Sequence, residues 1–197
     1  MVKRIFDFIF SFFGFLILLP VFGAITLIIK LDSRGPVFYR GERIGKDNKS
    51  FRIFKFRTMV PDAEKIGGSS TAADDKRLLK IAPFLKKFQL DELPQLINVL
   101  KGEMSFVGPR PEVKMYIDML SNEERKAILS VKPGMTDFAS LWNFHEGDIL
   151  KGSKDPEKIY QEKIRPKKIE LQLKYVREKN FWLDIKLIFK TIFKIFK

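Results

Sequence analysis

Cysteine is absent from the 197 residues, and histidine occurs once, at His145. Without thiols there is no disulfide to staple the fold, no thiolate nucleophile and no thiolate metal ligand. With a single imidazole, a histidine pair or a multi-histidine metal site is excluded, so a bound metal would be held mainly by oxygen, which points to Mg²⁺ or Mn²⁺. Acidic residues are also scarce. Against 37 Lys and Arg there are 24 Asp and Glu, a net charge of +13 that calls for an acidic partner such as nucleic acid, anionic lipid or a phosphorylated substrate. No internal repeat or low-complexity tract is evident. A hydrophobic content of 45% argues against disorder, and the length suits one domain, with room for an appendage.

Charge is missing altogether from Phe8 to Ile29, 22 residues, about the length that crosses a bilayer core. The run is too long for a signal-peptide core and no small-residue cleavage site follows it. Pro20 falls inside it between Gly14 and Gly23, which predicts a kink. Basic residues flank both ends, Lys3 and Arg4 before, Lys30 and Arg34 after, so charge gives no direction of crossing. The pattern favours a broken helix that enters and leaves on one face over one that spans, with Asp7 pairing to Lys3 or Arg4 at helical spacing.

Beyond the turn at Ser33-Arg34-Gly35-Pro36, the stretches Val37–Arg40 and Phe51–Arg57 predict a hairpin around Gly45–Asn48. Lys55 and Arg57 alternate with Phe54 and Phe56, as in a wall that presents cations to phosphate. A loop is expected over Pro61–Asp75 with Gly67-Gly68-Ser69-Ser70 at its flexible centre, then a helical stretch from Asp74 to about Lys87, interrupted near Pro83. Leu90–Gly102 reads as a short helix with Asp91 at its N-cap, Glu92 beside it, Pro94 in the first turn and Gly102 as the left-handed stop. Its positive end is expected to lower the carboxylate pKa and to attract phosphate. Capping alone would account for an isolated Asp-Glu pair; its neighbourhood argues for more.

In Gly108-Pro109-Arg110-Pro111 two prolines stiffen the turn around an arginine, either a rigid approach to a helix that starts at Pro111 or a pre-organised bidentate phosphate site. Helices are expected over Glu112–Leu120 and Ser121–Ser130, the second with a capping box of Ser121 and Glu124. Residues 151 to 197 carry 12 Lys and 2 Arg against 6 acids, +8 of the total charge. From Phe181 onward, Lys186, Lys190, Lys194 and Lys197 fall on one side of a helix and aromatic and aliphatic residues fill the rest, the pattern of a helix lying in a membrane interface.

Taken together and in order, Lys3-Arg4-x-Phe6-Asp7, Lys55-Phe56-Arg57-Thr58-Met59, Leu90-Asp91-Glu92-Leu93-Pro94-Gln95-Leu96, Asn98–Gly102, Ser105–Pro111 and Lys132-Pro133-Gly134-Met135-Thr136 resemble the bacterial monotopic phosphoglycosyl transferases, also called sugar transferases. The resemblance covers nearly the whole chain. It implies a Mg²⁺-dependent enzyme, with Mn²⁺ as an alternative, on the cytoplasmic face of the bacterial inner membrane. Such an enzyme moves a phospho-sugar from a UDP-sugar to undecaprenyl phosphate, releasing UMP, as a first membrane step of polysaccharide or glycoprotein assembly. By that resemblance Asp91 is the nucleophile of a covalent phospho-sugar intermediate, Glu92 with Asp91 beside it holds the metal, and Lys55, Arg57 and Arg110 neutralise the pyrophosphate; His145 is carried as a further phosphate-binding candidate. The chain departs from relatives at Leu19-Pro20, where a Ser-Pro pair is common, at Lys86 and Lys87, where arginine is common, at Asp137-Phe138-Ala139-Ser140, and at Gln172, where an aspartate is aligned.

The expected architecture is mainly α with a small β-hairpin: a re-entrant N-terminal membrane helix (residues 1–34), a compact α/β catalytic domain (35–150) and a basic tail (151–197) with interfacial amphipathic helices. Expected partners are the UDP-sugar, undecaprenyl phosphate and bacterial membrane lipid, without nucleic acid; homo-oligomerisation is left open. The rival reading is a non-enzymatic basic peripheral membrane protein that binds anionic lipid or nucleic acid through its tail.

Overall fold

The structure is a computed structural model and describes residues 1–66 and 70–196. Of the flexible centre expected at Gly67-Gly68-Ser69-Ser70, residues 67–69 lie outside the described residues, as does Lys197, while Ser70 is buried and donates to Glu157 at 2.9 Å.

Helix α1 (Val2–Asp32) takes up the uncharged run in one continuous element. Pro20 does not end it. Proline deletes one backbone donor, and with Leu19 and Pro20 both exposed the freed carbonyl side of the helix is not packed against the body. Asp7, Ser11, Phe22, Ile25 and Ile29 are buried along one stripe, and Phe15 and Leu18 pack into the same core. That three-to-four spacing is the helical period, so one face of α1 docks over most of its length. The other face exposes Ile5, Phe8, Ile9, Phe10, Phe13, Ile17, Leu27 and Leu31. Among the described residues α1 is the one helix long and apolar enough to cross a membrane.

Both ends of α1 are tied to the same body. At its start, Arg4 donates to the carbonyls of Val99 (2.6 Å) and Leu100 (2.8 Å), and Asp7 accepts from the Phe106 amide (3.2 Å). At its end, Ile25 and Ile29 pack with Phe56, Leu79, Ala82 and Leu85, and Asp32 accepts from the Ile81 amide (3.2 Å).

The expected hairpin is present in two antiparallel pieces. Strand β1 (Phe38–Tyr39) pairs with β4 (Lys55–Phe56), and β2 (Glu42–Ile44) with β3 (Ser50–Arg52). The interruption falls at Phe54, whose amide donates to the Asn98 side chain (2.8 Å) instead of to a strand. Helix α2 (Ala63–Ile66) is a single turn. The helical stretch expected from Asp74 begins only at α3 (Ala82–Lys87), with Pro83 in its first turn, where a missing N–H costs nothing.

The Leu90–Gly102 segment is two helices. Residues Leu90–Gln95 form a 3₁₀ helix and Leu96–Lys101 the α-helix α4, which Gly102 ends at φ 80° as expected. Asp91 is not the N-cap: Gln89 holds that place in the left-handed region (φ 53°), and both acids lie in the first 3₁₀ turn. Strand β5 (Ser105–Val107) follows. The helix expected from Glu112 is shorter, α5 (Lys114–Asp118), because Val113 caps it in an extended conformation. Helix α6 (Asn122–Ile128) carries the expected capping box, Ser121 Oγ with the Glu124 amide at 3.2 Å and the Glu124 carboxylate with the Ser121 amide at 2.9 Å.

Strand β6 (Gly134–Thr136) runs parallel to β5, a pairing the sequence did not suggest. The two strands lie so close that a Cβ on Gly134 would sit 2.0 Å from the Gly108 nitrogen. Short helices α7 (Phe138–Trp142), α8 (Glu146–Leu150) and α9 (Pro156–Ile159) precede a π-helical turn at Tyr160–Ile164, and the chain ends in α10 (Arg165–Glu178) and α11 (Phe181–Ile195). Asn180 caps α11 through the Leu183 amide (2.9 Å). Leu183 and Leu187 pack on Val107 and Phe106, while Trp182, Phe189, Phe193 and Phe196 face outward.

Candidate active site

The 3₁₀ turn places Asp91 and Glu92 on the wall of a cleft of about 720 Å³ whose lining also includes Lys55, Lys86, Arg110, His145 and Lys168. Strand β4 brings Lys55. Arg110 is aimed by its backbone: the Gly108 amide donates to the Thr136 carbonyl (3.0 Å), the Gly134 amide to the Pro109 carbonyl (3.0 Å), and Gln172 reaches the Arg110 carbonyl at 3.5 Å. The stiff turn around Arg110 therefore depends on the parallel β5–β6 pair.

The two acids have opposite surroundings. Glu92 is buried and held by three hydrogen bonds: Arg110 grips it with both terminal nitrogens, Nη1 on Oε2 at 3.1 Å and Nη2 on Oε1, while Lys55 Nζ donates to Oε1 at 2.8 Å. Burial opposes its charge, but Arg110 and Lys55 outweigh burial and hold the Glu92 carboxyl far below the usual range. Asp91 is equally buried, yet among the described residues no hydrogen bond engages its carboxylate. Burial, and then the neighbouring Glu92 charge, push Asp91 up to about 6 against the pull of Lys55, Lys86 and Arg110. The expected lowering of its pKa by a helix end is thus overturned, because a short 3₁₀ turn has little dipole and the acid is taken out of water.

Of the cations expected at phosphate, Lys55 and Arg110 are in the cleft and Arg57 is not. Its guanidinium donates to the Ser33 carbonyl (2.9 Å) and the Arg34 carbonyl (3.1 Å) and fastens the turn after α1. Side chains alternate along a strand, so Lys55 and Arg57 would share a face in a regular strand; β4 ends at Phe56 and the two part. His145 lines the cleft from an exposed position, its ring edge-on to Phe144 at 5.0 Å. Two further residues were not singled out from sequence as site residues. Lys86, at the end of α3, stands near Asp91, and burial lowers its pKa although Asp91 pulls it up. Lys168, buried on α10, pairs with Glu112 at 2.6 Å and donates to Tyr160 Oη at 3.0 Å. The first could be read from its five-residue spacing to Asp91; nothing local marks the second.

Among the described residues no group of three His, Asp or Glu side chains could enclose a metal. The pair Asp91 and Glu92 nevertheless fits Mg²⁺, which is usually held by one or two carboxylates and completed by water and substrate phosphate. A carboxylate offers about four acceptor positions. Three on Glu92 are taken, and those of Asp91 are open.

A buried carboxylate left unpaired beside one gripped by Arg110 and Lys55, with Lys86 close by, makes a cleft suited to anionic substrates. A family model described as "Bacterial sugar transferase" matches residues 1–197. The chain belongs to that family. Its sugar-transferase relatives include the UDP-N-acetylgalactosamine-undecaprenyl-phosphate N-acetylgalactosaminephosphotransferase of Aeromonas hydrophila, 34% identical over 193 residues, covering 97% of this chain and 43% of that protein. The UDP-glucose:undecaprenyl-phosphate glucose-1-phosphate transferase of Escherichia coli K12 is 38% identical, covering 100% of this chain and 40% of that one. The exopolysaccharide production protein PSS of Rhizobium leguminosarum bv. phaseoli is 34% identical, covering 96% of this chain and 92% of its own length. The chain thus spans about two fifths of the first two relatives and most of the third.

Proposed function

We propose that this sugar transferase moves a phospho-sugar from a UDP-sugar to undecaprenyl phosphate and releases UMP, through a covalent intermediate on Asp91. The observation that carries the reading is the contrast between the two acids: Arg110 and Lys55 grip Glu92, while Asp91 faces the same cleft with its carboxylate free of hydrogen bonds among the described residues. In the first step an Asp91 oxygen attacks the sugar-bearing phosphorus. A P–O bond forms, the bond to the bridging oxygen of the diphosphate breaks, and UMP leaves with that oxygen. In the second step a phosphate oxygen of undecaprenyl phosphate attacks the same phosphorus, Asp91 is released as carboxylate, and a sugar diphospholipid is formed. Dividing one displacement between two anions into two steps lets each anion be met separately by the cations of the cleft.

Lys55, Lys86 and Arg110 offset the negative charge of both substrates, and Arg110 keeps Glu92 fixed in doing so. Mg²⁺ on Asp91 and Glu92 would add Lewis-acid polarisation of the phosphate oxygens. The supporting observation for a monotopic arrangement is that both ends of α1 are held by one body while its far side is apolar and exposed. A 31-residue helix is about 46 Å long if straight, so a free span would separate those ends across the ~30 Å bilayer core.

The reading is tested by nucleotide release from a panel of UDP-sugars with Mg²⁺ and undecaprenyl phosphate. UMP from one sugar is expected. UDP would mean that the sugar moves without its phosphate. Chelation should abolish release and Mg²⁺ restore it.

A further inference from the structure

The lining of the cleft is mixed. Thr71, Lys87, Asn143 and His145 contribute polar side chains to it, and Phe106, Met135, Ile188, Ile192 and Ile195 contribute an apolar set. Three of those five belong to α11. This helix divides its surface three ways: Leu187 and Asp184 are buried in the body, positions 188, 192 and 195 line the cleft, and Phe189, Phe193 and Phe196 point outward. The lining and outward residues are neighbours around the helix, so the apolar set is bordered by the same exposed aromatic surface. Phe106, which packs in one cluster with Ile188, extends this surface to α1. Phe106 packs edge-on to Phe6 of α1 (6.2 Å), and Phe6 packs on Phe181 (5.5 Å) and Phe10 (4.3 Å). An unbroken apolar path runs from beside the carboxylates to the exposed faces of α1 and α11.

We propose that Phe106, Met135, Ile188, Ile192 and Ile195 form the track for the first isoprene units of the prenyl phosphate acceptor, leaving the polar side chains to the nucleotide. The assignment rests on the two-step reading above. It follows from the chemistry of the two substrates: both end in phosphate, which the Lys55–Arg110 cluster serves, and they differ in what is attached. A nucleoside needs hydrogen-bonding partners, which the side chains of these five residues do not offer, and the nearby Thr136 and Thr191 hydroxyls are engaged with each other; an isoprenoid chain needs only apolar surface removed from water. The track is also held in place. Thr191 and Thr136 share a hydroxyl hydrogen bond at 2.7 Å, and Lys194 donates to the Leu141 carbonyl at 2.5 Å, so α11 is fastened to β6 and α7 on either side of Ile192.

The test uses the full chain in detergent and separates the two half-reactions. The double variant Ile188→Asn/Ile192→Asn introduces polar atoms into the track; Ile192 is 45% exposed, and because Ile188 packs against the core the single variant Ile192→Asn is measured beside it as the one that keeps the fold. With donor alone the burst of UMP per enzyme should be as in the parent. With acceptor the KM for undecaprenyl phosphate should rise at least tenfold, and Ile188→Leu/Ile192→Leu should restore it. A prenyl phosphate of two isoprene units should show a much smaller difference between parent and variant. A lost donor burst with an unchanged acceptor KM would overturn the assignment and place the base or sugar on this track. No change in either step would also overturn it. Should the parent itself give no burst with donor alone, the covalent intermediate fails while the acceptor KM still decides the track.

Discussion

Two clusters of charge sit within this small protein and treat their acids differently. Beneath the cleft, Asp184 accepts from Tyr175 Oη at 2.8 Å and pairs with Lys3, whose ammonium also donates to the Val107 carbonyl at 2.9 Å. Every group there has a partner, and the result ties α1, β5 and α11 together. In the cleft, Glu92 is satisfied in the same manner by Lys55 and Arg110, but Asp91 beside it is not. In the first cluster paired charge fastens three elements together; in the second, Asp91 is left unpaired at a cost in stability, which suits it to the chemistry proposed for it.

The comparison is broken most severely by Asp91→Asn. The variant keeps shape and loses the nucleophile, so UMP release should fall by roughly 10³-fold or more. Replacing Arg110 by Lys keeps one charge and loses the fork; Glu92 would be held by a single contact from that side, and kcat should drop by about 10²-fold with the fold intact. In the other cluster, Asp184→Ala strands Lys3 and Tyr175 and should lower stability by about 2 kcal/mol, below the ~3–5 kcal/mol of a wholly buried pair because the Lys3 side chain is 38% exposed. Its donor kinetics in the folded fraction should be little changed.

The smallest effects come from titration. The folded carboxyl of Asp91 sits at about 6 against 3.8 when unperturbed, so the protonated form favours folding. The stability it contributes is present below about pH 4 and is lost as pH rises through about 6. Removing the ionised group by Asp91→Asn should therefore raise stability at pH 8 modestly, and the gain should vanish near pH 4, as read by thermal unfolding in detergent. In the parent, the rate of the donor step should decline as pH falls through about 6, since attack needs the carboxylate.

Much of this was legible in the sequence because it is local. The uncharged run, the capping box at Ser121 and Glu124, the stop at Gly102 and the amphipathic terminal helix each depend on residues within a few positions of one another, and each element is present in the structure. The Asp91-Glu92 pair was legible as a pair, but not the division of roles between its members, which Lys55 and Arg110 impose from 36 residues before and 19 after Asp91. Arg57 stands apart from the cleft for a related reason. Its alternation with Lys55 is a strand argument, and β4 stops at Phe56, where the chain turns towards the end of α1. The β5–β6 pair is parallel, joins segments about 29 residues apart and has three residues in each strand, too short for any period to show. Lys168 is invisible locally because its partner, Glu112, lies on another element.

The central claim is the covalent phospho-sugar on Asp91, and intact-mass measurement of the protein after exposure to its UDP-sugar and Mg²⁺, with no acceptor present, tests it most directly. The account predicts one added phospho-sugar per chain, located to the peptide that carries Asp91, removed on adding undecaprenyl phosphate and absent from Asp91→Asn. UMP formed only when donor and acceptor are present together, with the protein mass unchanged throughout, would contradict it.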